Sequence, residues 1–433
     1  MKRMIVLLLV LATGAHAQNV YTLEEARRDA LERSRDVRIA SIDVAGAEEG
    51  ITAARARRLP SVDVSAGYTH VSETGGIDFQ LPGLPPRSIR FGDGNIWETA
   101  ITAHVPLFTG FRLSAMQDLS ELNREVAEES LAGTRTAVRH RVAFIYRRAQ
   151  LAERSRRIYD EQLSWLQVQF GMLRSMLAEG QVLPYDTLLL SSRMSALRVE
   201  RRNARTEYEN AIEDLREITR QDLVGITLSD DIEVDPGIPA QRETASLLET
   251  AEQNRSDLQI LSHQREMAQL RIRSEQGSMY PTVAAFASYR YGKPGVDQVA
   301  NEWMDYYTAG ISLEWNLWSW GGDASKVQQQ RYGLQRIEEE YARRRDAVRA
   351  SINRIRNEMD VLDDTRRMLD DQIRQERTKQ RLLQARFREG VATATEVVDA
   401  ETALTTARLR REQADIQYAM KITELAAAIG WNE

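Results

Sequence analysis

The 433-residue chain has no cysteine. Disulfides, thiolate metal sites and an N-terminal lipid on cysteine are thereby excluded. Histidine is scarce, and His70, His104, His140 and His263 stand far apart, without the close spacing that metal ligation uses. No glycine-rich loop precedes a lysine and no dinucleotide fingerprint is present, so the chain carries nothing of its own to power transport. No serine and histidine constellation marks an acyl-transfer site. These absences point away from an enzyme and call for no cofactor. Beyond the first residues, no apolar run approaches the ~20 residues of a spanning helix. A mean hydropathy of -0.47 is too polar for a bundle of such helices. With a net charge of -6 there is no broad basic field, which argues against nucleic acid as a partner. Proline is missing from Leu107 to Leu183 and again after Pro294.

What is present begins with MKRMIVLLLVLATGAHAQ. Lys2 and Arg3, an apolar run and the small-x-small triplet Ala15-His16-Ala17 read as a signal peptide over residues 1–17, with export and a mature start at Gln18. The remainder follows one plan twice. Residues 34–68 align with 255–289, so that Asp36, Pro60 and Tyr68 meet Asp257, Pro281 and Tyr289 at a spacing of 221. Farther on, Glu179-Gly180, Tyr208 and Leu215 meet Glu389-Gly390, Tyr418 and Leu425 at a spacing of 210. The first repeat covers 18–230 and the second 241–433. Between them DIEVDPGIPA, residues 231–240, reads as a linker because of its two prolines and glycine.

Each repeat predicts a helix, a strand, a loop, a strand, a very long helix, a break and a returning helix. The capping box Thr22-x-x-Glu25 starts the first helix, which is expected to run to Pro60. Strict alternation then predicts strands over about 61–71 and 95–108, and in the second repeat over about 281–291 and 306–318. The stretch GGIDFQLPGLPPRSIRFGDGN between the first two reads as an exposed loop. Long helical hairpins are expected over about 110–220 and 322–430. Leu131, Val138, Ile145, Ala152, Tyr159, Leu166 and Leu173 fall seven apart. In the second repeat Val327, Leu334, Tyr341, Val348, Ile355, Leu362, Leu369 and Leu383 do the same, with Glu376 interrupting. That period calls for left-handed supercoiling of paired helices.

Heptads alone fit a periplasmic coiled-coil adaptor or scaffold without a pore, and that alternative stands until the strands are considered. Each segment, roughly ten to thirteen residues, reaches the ~9–11 that a tilted membrane strand needs. Tyr68, Trp97, Tyr289, Tyr307 and Trp315 lie on the apolar faces, as aromatics do at membrane interfaces. Four strands cannot close a barrel in lipid, where open edges leave backbone groups unpaired. The chain is therefore expected to oligomerise, and three copies would supply twelve strands.

At the other end of the long helices, Gly180 and Gly390 mark hairpin turns, flanked by Gln181 and Val182 and by Val391 and Ala392. Three carboxylates follow: Asp186 after Pro184 in one returning helix, and Glu396 and Asp399 in the other. Thr393-x-x-Glu396 is a capping box, and acids near a helix N-terminus are favoured by its dipole, so all three read as caps. In a threefold assembly, a lumen-facing acid would instead become a ring that attracts cations.

The segment FREGVATATEVVDAETALTTARLRREQADIQYAMKITELAAAIG, residues 387–430, together with the two-repeat order, resembles the TolC-like outer membrane factors over essentially the whole mature length. The resemblance implies a mainly α fold with a β membrane part: a homotrimer closing a twelve-stranded barrel in outer-membrane lipid, with a helical tunnel in the periplasm of a Gram-negative-type envelope. It implies a passive exit duct for efflux or type I secretion, opened by docking to a periplasmic adaptor and an inner-membrane transporter, with the hairpin tips as docking points. It also implies that Glu396 and Asp399 line the periplasmic entrance. Some members latch that entrance with an arginine two residues past the second turn glycine. Here that residue is Ala392, although Asp186 matches the acid, and the apolar tip residues Val182 and Val391 are expected to hold the closed state instead.

Overall fold

The computed structural model describes residues 20–83, 85–223, 226–232, 243–297 and 300–431. The signal peptide at 1–17 and all but the first two residues of the linker at 231–240 lie outside the described residues. In chain order the elements are β1 (Val20–Tyr21), α1 (Leu23–Arg33), α2 (Arg35–Ala56), β2 (Ser61–His70), β3 (Gly76–Phe79), β4 (Arg87–Arg90), β5 (Asn95–Phe108), α3 (Arg112–Ala178) and α4 (Pro184–Thr219). They continue as β6 (Thr227–Leu228), α5 (Thr244–Asn254), α6 (Ser256–Gly277), β7 (Thr282–Lys293), β8 (Met304–Glu314), α7 (Gly322–Arg388) and α8 (Ala394–Ile429). Helix lengths match in pairs: 11 residues for α1 and α5, 22 for α2 and α6, 67 for α3 and α7, and 36 for α4 and α8.

The chain forms two compact units, each drawing on both sequence halves. One takes residues up to Ile39, Ala132–Arg255 and those from Asp346 onward; the other takes Ala40–Leu131 and Ser256–Arg345.

The second of these units is built on an antiparallel sheet in the order β2-β5-β7-β8. Pairing aligns Val64, Ile101, Tyr289 and Tyr307 in one row and Val62, Ala103, Ala287 and Ala309 in the next, so this face is apolar over these rows, and it turns polar in the row of Ala66, Thr99, Tyr291 and Asp305. The opposite face is mainly polar, with Ile96 and Phe286 among its exceptions. There Arg290 pairs with Glu98 at 3.2 Å and the hydroxyls of Thr102 and Ser288 meet at 3.0 Å. Strands β2 and β8 are the outer members, and neither has a further strand beside it among the described residues. Where β5 gives way to α3, a Cβ on Gly277 would lie 2.4 Å from the Gly110 carbonyl oxygen, and Gly110 itself has φ +61°. Only glycine allows the two backbones to come this close.

The other unit is helical. Every residue of the two seven-residue series, which begin in the sheet-bearing unit at Leu131 and at Val327 to Tyr341 and continue in this one, is buried or half-buried, as supercoiled packing requires. Glu376, the interruption, is half-buried beside Lys379 at 3.6 Å. Helix α8 is joined to α3 by Arg154–Glu412 at 2.7 Å and Arg408–Glu161 at 3.0 Å. It is joined to α7 by Arg366–Asp415 at 2.7 Å and Arg411–Asp370 at 2.8 Å. Such pairs are worth ~0.2–1 kcal/mol each when exposed, so they set register more than stability. A buried clasp fixes the short β1–β6 pair: the Tyr146 hydroxyl donates to the Tyr21 carbonyl at 2.7 Å and accepts the Ser229 N–H at 3.0 Å. Burial and the neighbouring Asp29 push the Tyr21 phenol well above its ordinary pKa.

Four sequence expectations need correction. The helix expected to run from the capping box to Pro60 breaks at Ser34, which is extended, and α2 ends at Ala56. Ser34 stops one helix and starts the next, its Oγ accepting the Asp36 N–H at 3.2 Å. The exposed loop after β2 contains a β-hairpin, with Ile77 opposite Ile89. The last strand spans 304–314 rather than 306–318, because its partner β7 begins at Thr282 and Pro281 has no N–H to extend the ladder. Trp315 therefore lies outside the strand, and its indole N–H donates to the Met279 carbonyl at 3.0 Å.

Candidate functional site at the hairpin tips

Both hairpins turn on glycine at positive φ, +75° at Gly180 and +74° at Gly390. Gly180 and Gly390 donate to the carbonyls of Leu177 and Phe387, each at 3.0 Å, and the next residues, Gln181 and Val391, donate to Met176 and Arg386, each at 2.9 Å. The two turns thus share these bonds, and the second adds one from the Ala392 N–H to the Arg386 carbonyl at 3.3 Å.

The returning helices start differently. At α8 the capping box is complete: Glu396 accepts the Thr393 N–H at 2.8 Å and the Thr393 hydroxyl at 3.0 Å, while Thr393 Oγ1 accepts the Glu396 N–H at 3.3 Å. These bonds to its charged form hold the Glu396 carboxyl below the usual carboxylate range. At α4 only half a box exists. Asp186 accepts the Leu183 N–H at 3.1 Å, but Leu183 has no acceptor to return the bond, and Pro184 fills the first helical position. Asp399 is exposed and has no hydrogen bond or ion pair among the described residues.

Beneath the tips Leu166, Leu173, Leu190, Met194, Phe387, Val397 and Val398 form a common core. Ala392 is buried in it and Val182 packs against it, whereas Val391 is 62% exposed. The two valines expected to act alike are therefore placed unalike. Gln181 and both glycines are exposed. Burial among these helices pushes the Glu401 carboxyl up, and Gln380 donates to it at 2.7 Å.

Helix α8 shows solvent one face only. Its exposed residues are Glu396, Asp399, Thr406, Arg410, Gln413 and Gln417, a single stripe of seven-residue period. Gln417 also lines a cavity of about 860 Å³ with His140 and Phe144 of α3 and Val361 of α7. Burial lowers the His140 pKa.

On the sheet, Tyr68 and Trp97 meet across β2 and β5 with ring centroids 4.3 Å apart and ring planes tilted by 39°. Tyr289 and Tyr307 face each other across β7 and β8. Sequence reasoning missed Trp318 and Trp320, which lie edge to face at 5.7 Å and are 70% and 89% exposed. The tryptophan density of WNLWSW was the available signal. The Tyr291 and Trp303 rings, stacked at 5.2 Å, were also missed.

The sequence pattern of the outer membrane efflux protein family matches residues 26–219 and 247–431. The chain belongs to that family. Its fold is shared with solved TolC-like channels: CusC superposes with a TM-score of 0.79 at 16% identity, over 95% of this chain and 92% of that one. VceC from Vibrio cholerae gives 0.78 at 15% identity, over 94% and 96%. The open state of MtrE from Neisseria gonorrhoeae gives 0.73 at 16% identity, over 94% and 88%. No curated protein sequence matches the chain. Membership indicates an outer membrane efflux duct, and the efflux family consists of channels rather than enzymes. No helix among the described residues is long and apolar enough to cross a membrane.

Proposed function

We propose that three copies of this outer membrane efflux protein close one barrel and one tunnel, forming a passive exit duct for a tripartite efflux pump or a type I secretion system. The observation that carries this is the four-stranded sheet, mainly apolar on one face, mainly polar on the other, and unpaired at β2 and β8. Lipid offers no partner for bare edges. Because successive strands alternate in direction, β8 of one copy runs antiparallel to β2 of the next, and three copies make a closed ring of twelve. The interior would be wide enough to conduct, unlike that of an eight-stranded dimer.

The matched helix lengths support descent of the two halves from one repeat. In the trimer, the helices continue the ring into the periplasm as a tunnel. The tips around Gly180–Val182 and Gly390–Ala392 are the surfaces an adaptor meets on the way to the inner-membrane transporter. Glu396 and Asp399, on the single exposed face of α8, form acid rings at the entrance; Glu396 combines that role with its capping bonds. Detergent-purified protein should run as a heat-resistant trimer and give single-channel currents in planar bilayers. A monomer that stays soluble without detergent would overturn this reading.

A further inference from the structure

Three arginines lie within four residues of α8, and two are engaged. Arg408 pairs with Glu161 at 3.0 Å, and Arg411 holds Asp370 at 2.8 Å as well as Asp415. Arg410 is exposed and has no hydrogen bond or ion pair among the described residues. It is placed differently because it falls on the solvent stripe, two heptads from Glu396 and in phase with it. A supercoiled helix keeps residues seven apart on one face, so whatever surface Glu396 lines, Arg410 lines also.

We infer that Arg410 forms a cationic ring inside the tunnel, an anion-binding site set behind the acid rings of the entrance. This rests on the trimeric duct reading above. Along the helix, at 1.5 Å per residue, Arg410 is about 21 Å from Glu396 and about 16 Å from Asp399, while the screening length at 0.1 M salt is about 10 Å. The two rings therefore act separately rather than cancelling. Between Asp399 and Arg410 the stripe carries only the hydroxyl of Thr406 as an exposed side chain, so nothing charged on that stripe bridges the gap. A guanidinium is charged at every working pH and grips phosphate or carboxylate oxygens through paired N–H groups. A permeant thus meets negative charge first and positive charge second. That order suits cargo carrying both signs, with an anionic group such as a phosphate or carboxylate resting at Arg410.

The test is bilayer recording of the full-length protein under a KCl gradient. Arg410→Gln should raise the potassium-to-chloride permeability ratio, because a ring of charged side chains favours ions of the opposite sign, while Arg410→Lys keeps the wild-type ratio. Inorganic tripolyphosphate added on the helix side should reduce wild-type conductance and leave that of Arg410→Gln unaffected. Because the chain has no cysteine, Arg410→Cys gives a single labelling site. A charged thiol reagent should then change its conductance. An unchanged ratio and unchanged tripolyphosphate block in Arg410→Gln, or labelling of Arg410→Cys with no change in current, would overturn the ring and leave the duct standing. Wild-type protein that forms no channel would overturn both.

Discussion

The two hairpin tips share one backbone and differ in nearly everything hung upon it. Gly180 and Gly390 turn at nearly the same angle and close the same two hydrogen bonds. After them, one chain enters a helix through Leu183 and Pro184 with half a cap, the other through Thr393 with a full one. Helix α4 then exposes most of its lower length, including Tyr185, Leu188 and Val199, while α8 is buried on every face but one. The lesson is that turn geometry is set by the glycine and by the ends of the helices, so side chains are free to diverge. One tip can be secured within its own chain while the other presents surface.

The largest way to break this comparison is through the core both tips share. Leu190→Ala, at a fully buried position, should cost ~2–5 kcal/mol and loosen both tips together, read as lost amide protection in hydrogen exchange on each side. Protection lost at only one tip would mean the cores are separate. Next comes the backbone. No atom lies within 4 Å of a Cβ built on Gly180 or Gly390, so Gly180→Ala and Gly390→Ala should each cost only the left-handed penalty of ~1–2 kcal/mol. Equal shifts in denaturant midpoint would sharpen the equivalence, and a wide difference would refute it.

Capping should then separate the tips. Thr393→Ala should cost ~1 kcal/mol, whereas Leu183→Ala should scarcely register in the same unfolding assay. Leu183→Thr, which supplies the missing acceptor, should stabilise α4. The smallest effect is on pH. The Glu396 pKa is lowered in the folded chain, chiefly by the Thr393 N–H and then by its hydroxyl. Its contribution is therefore present above the ordinary glutamate pKa and is lost as pH falls through the depressed one. Thr393→Ala keeps the N–H and removes only the hydroxyl, so this acid-side slope, followed by exchange at the α8 start, should shrink in part, whereas Glu396→Gln should remove it.

Much of this architecture was legible in the residues. Glycine and proline punctuate the long helices, and the seven-residue series at Val138 to Leu173 and Val327 to Leu383 marks their inner faces. Thr393 and Glu396 declare a helix start four residues long. The breaks at Ser34 and Arg255 were not legible, because helix-forming residues continue on both sides and only the extended backbone between them tells otherwise. The Ile77–Ile89 hairpin was hidden in a glycine- and proline-rich stretch that reads as loop. Trp315 was assigned to a strand because alternation continues past the point where Pro281 ends the pairing. The solvent stripe of α8 could not be read from spacing alone, since Arg408, Arg410 and Arg411 look alike until their neighbours are known.

The equal lengths of α3 and α7, and of α4 and α8, constrain how such a chain can change in size. One residue inserted in a single long helix would rotate every later side chain by about 100° and leave one tip out of step with the other. Only additions or losses of whole seven-residue blocks, made in all four helices, keep both seams in phase and both ends flush. Relatives that reach farther or less far from the membrane should therefore differ from this one in matched multiples of seven.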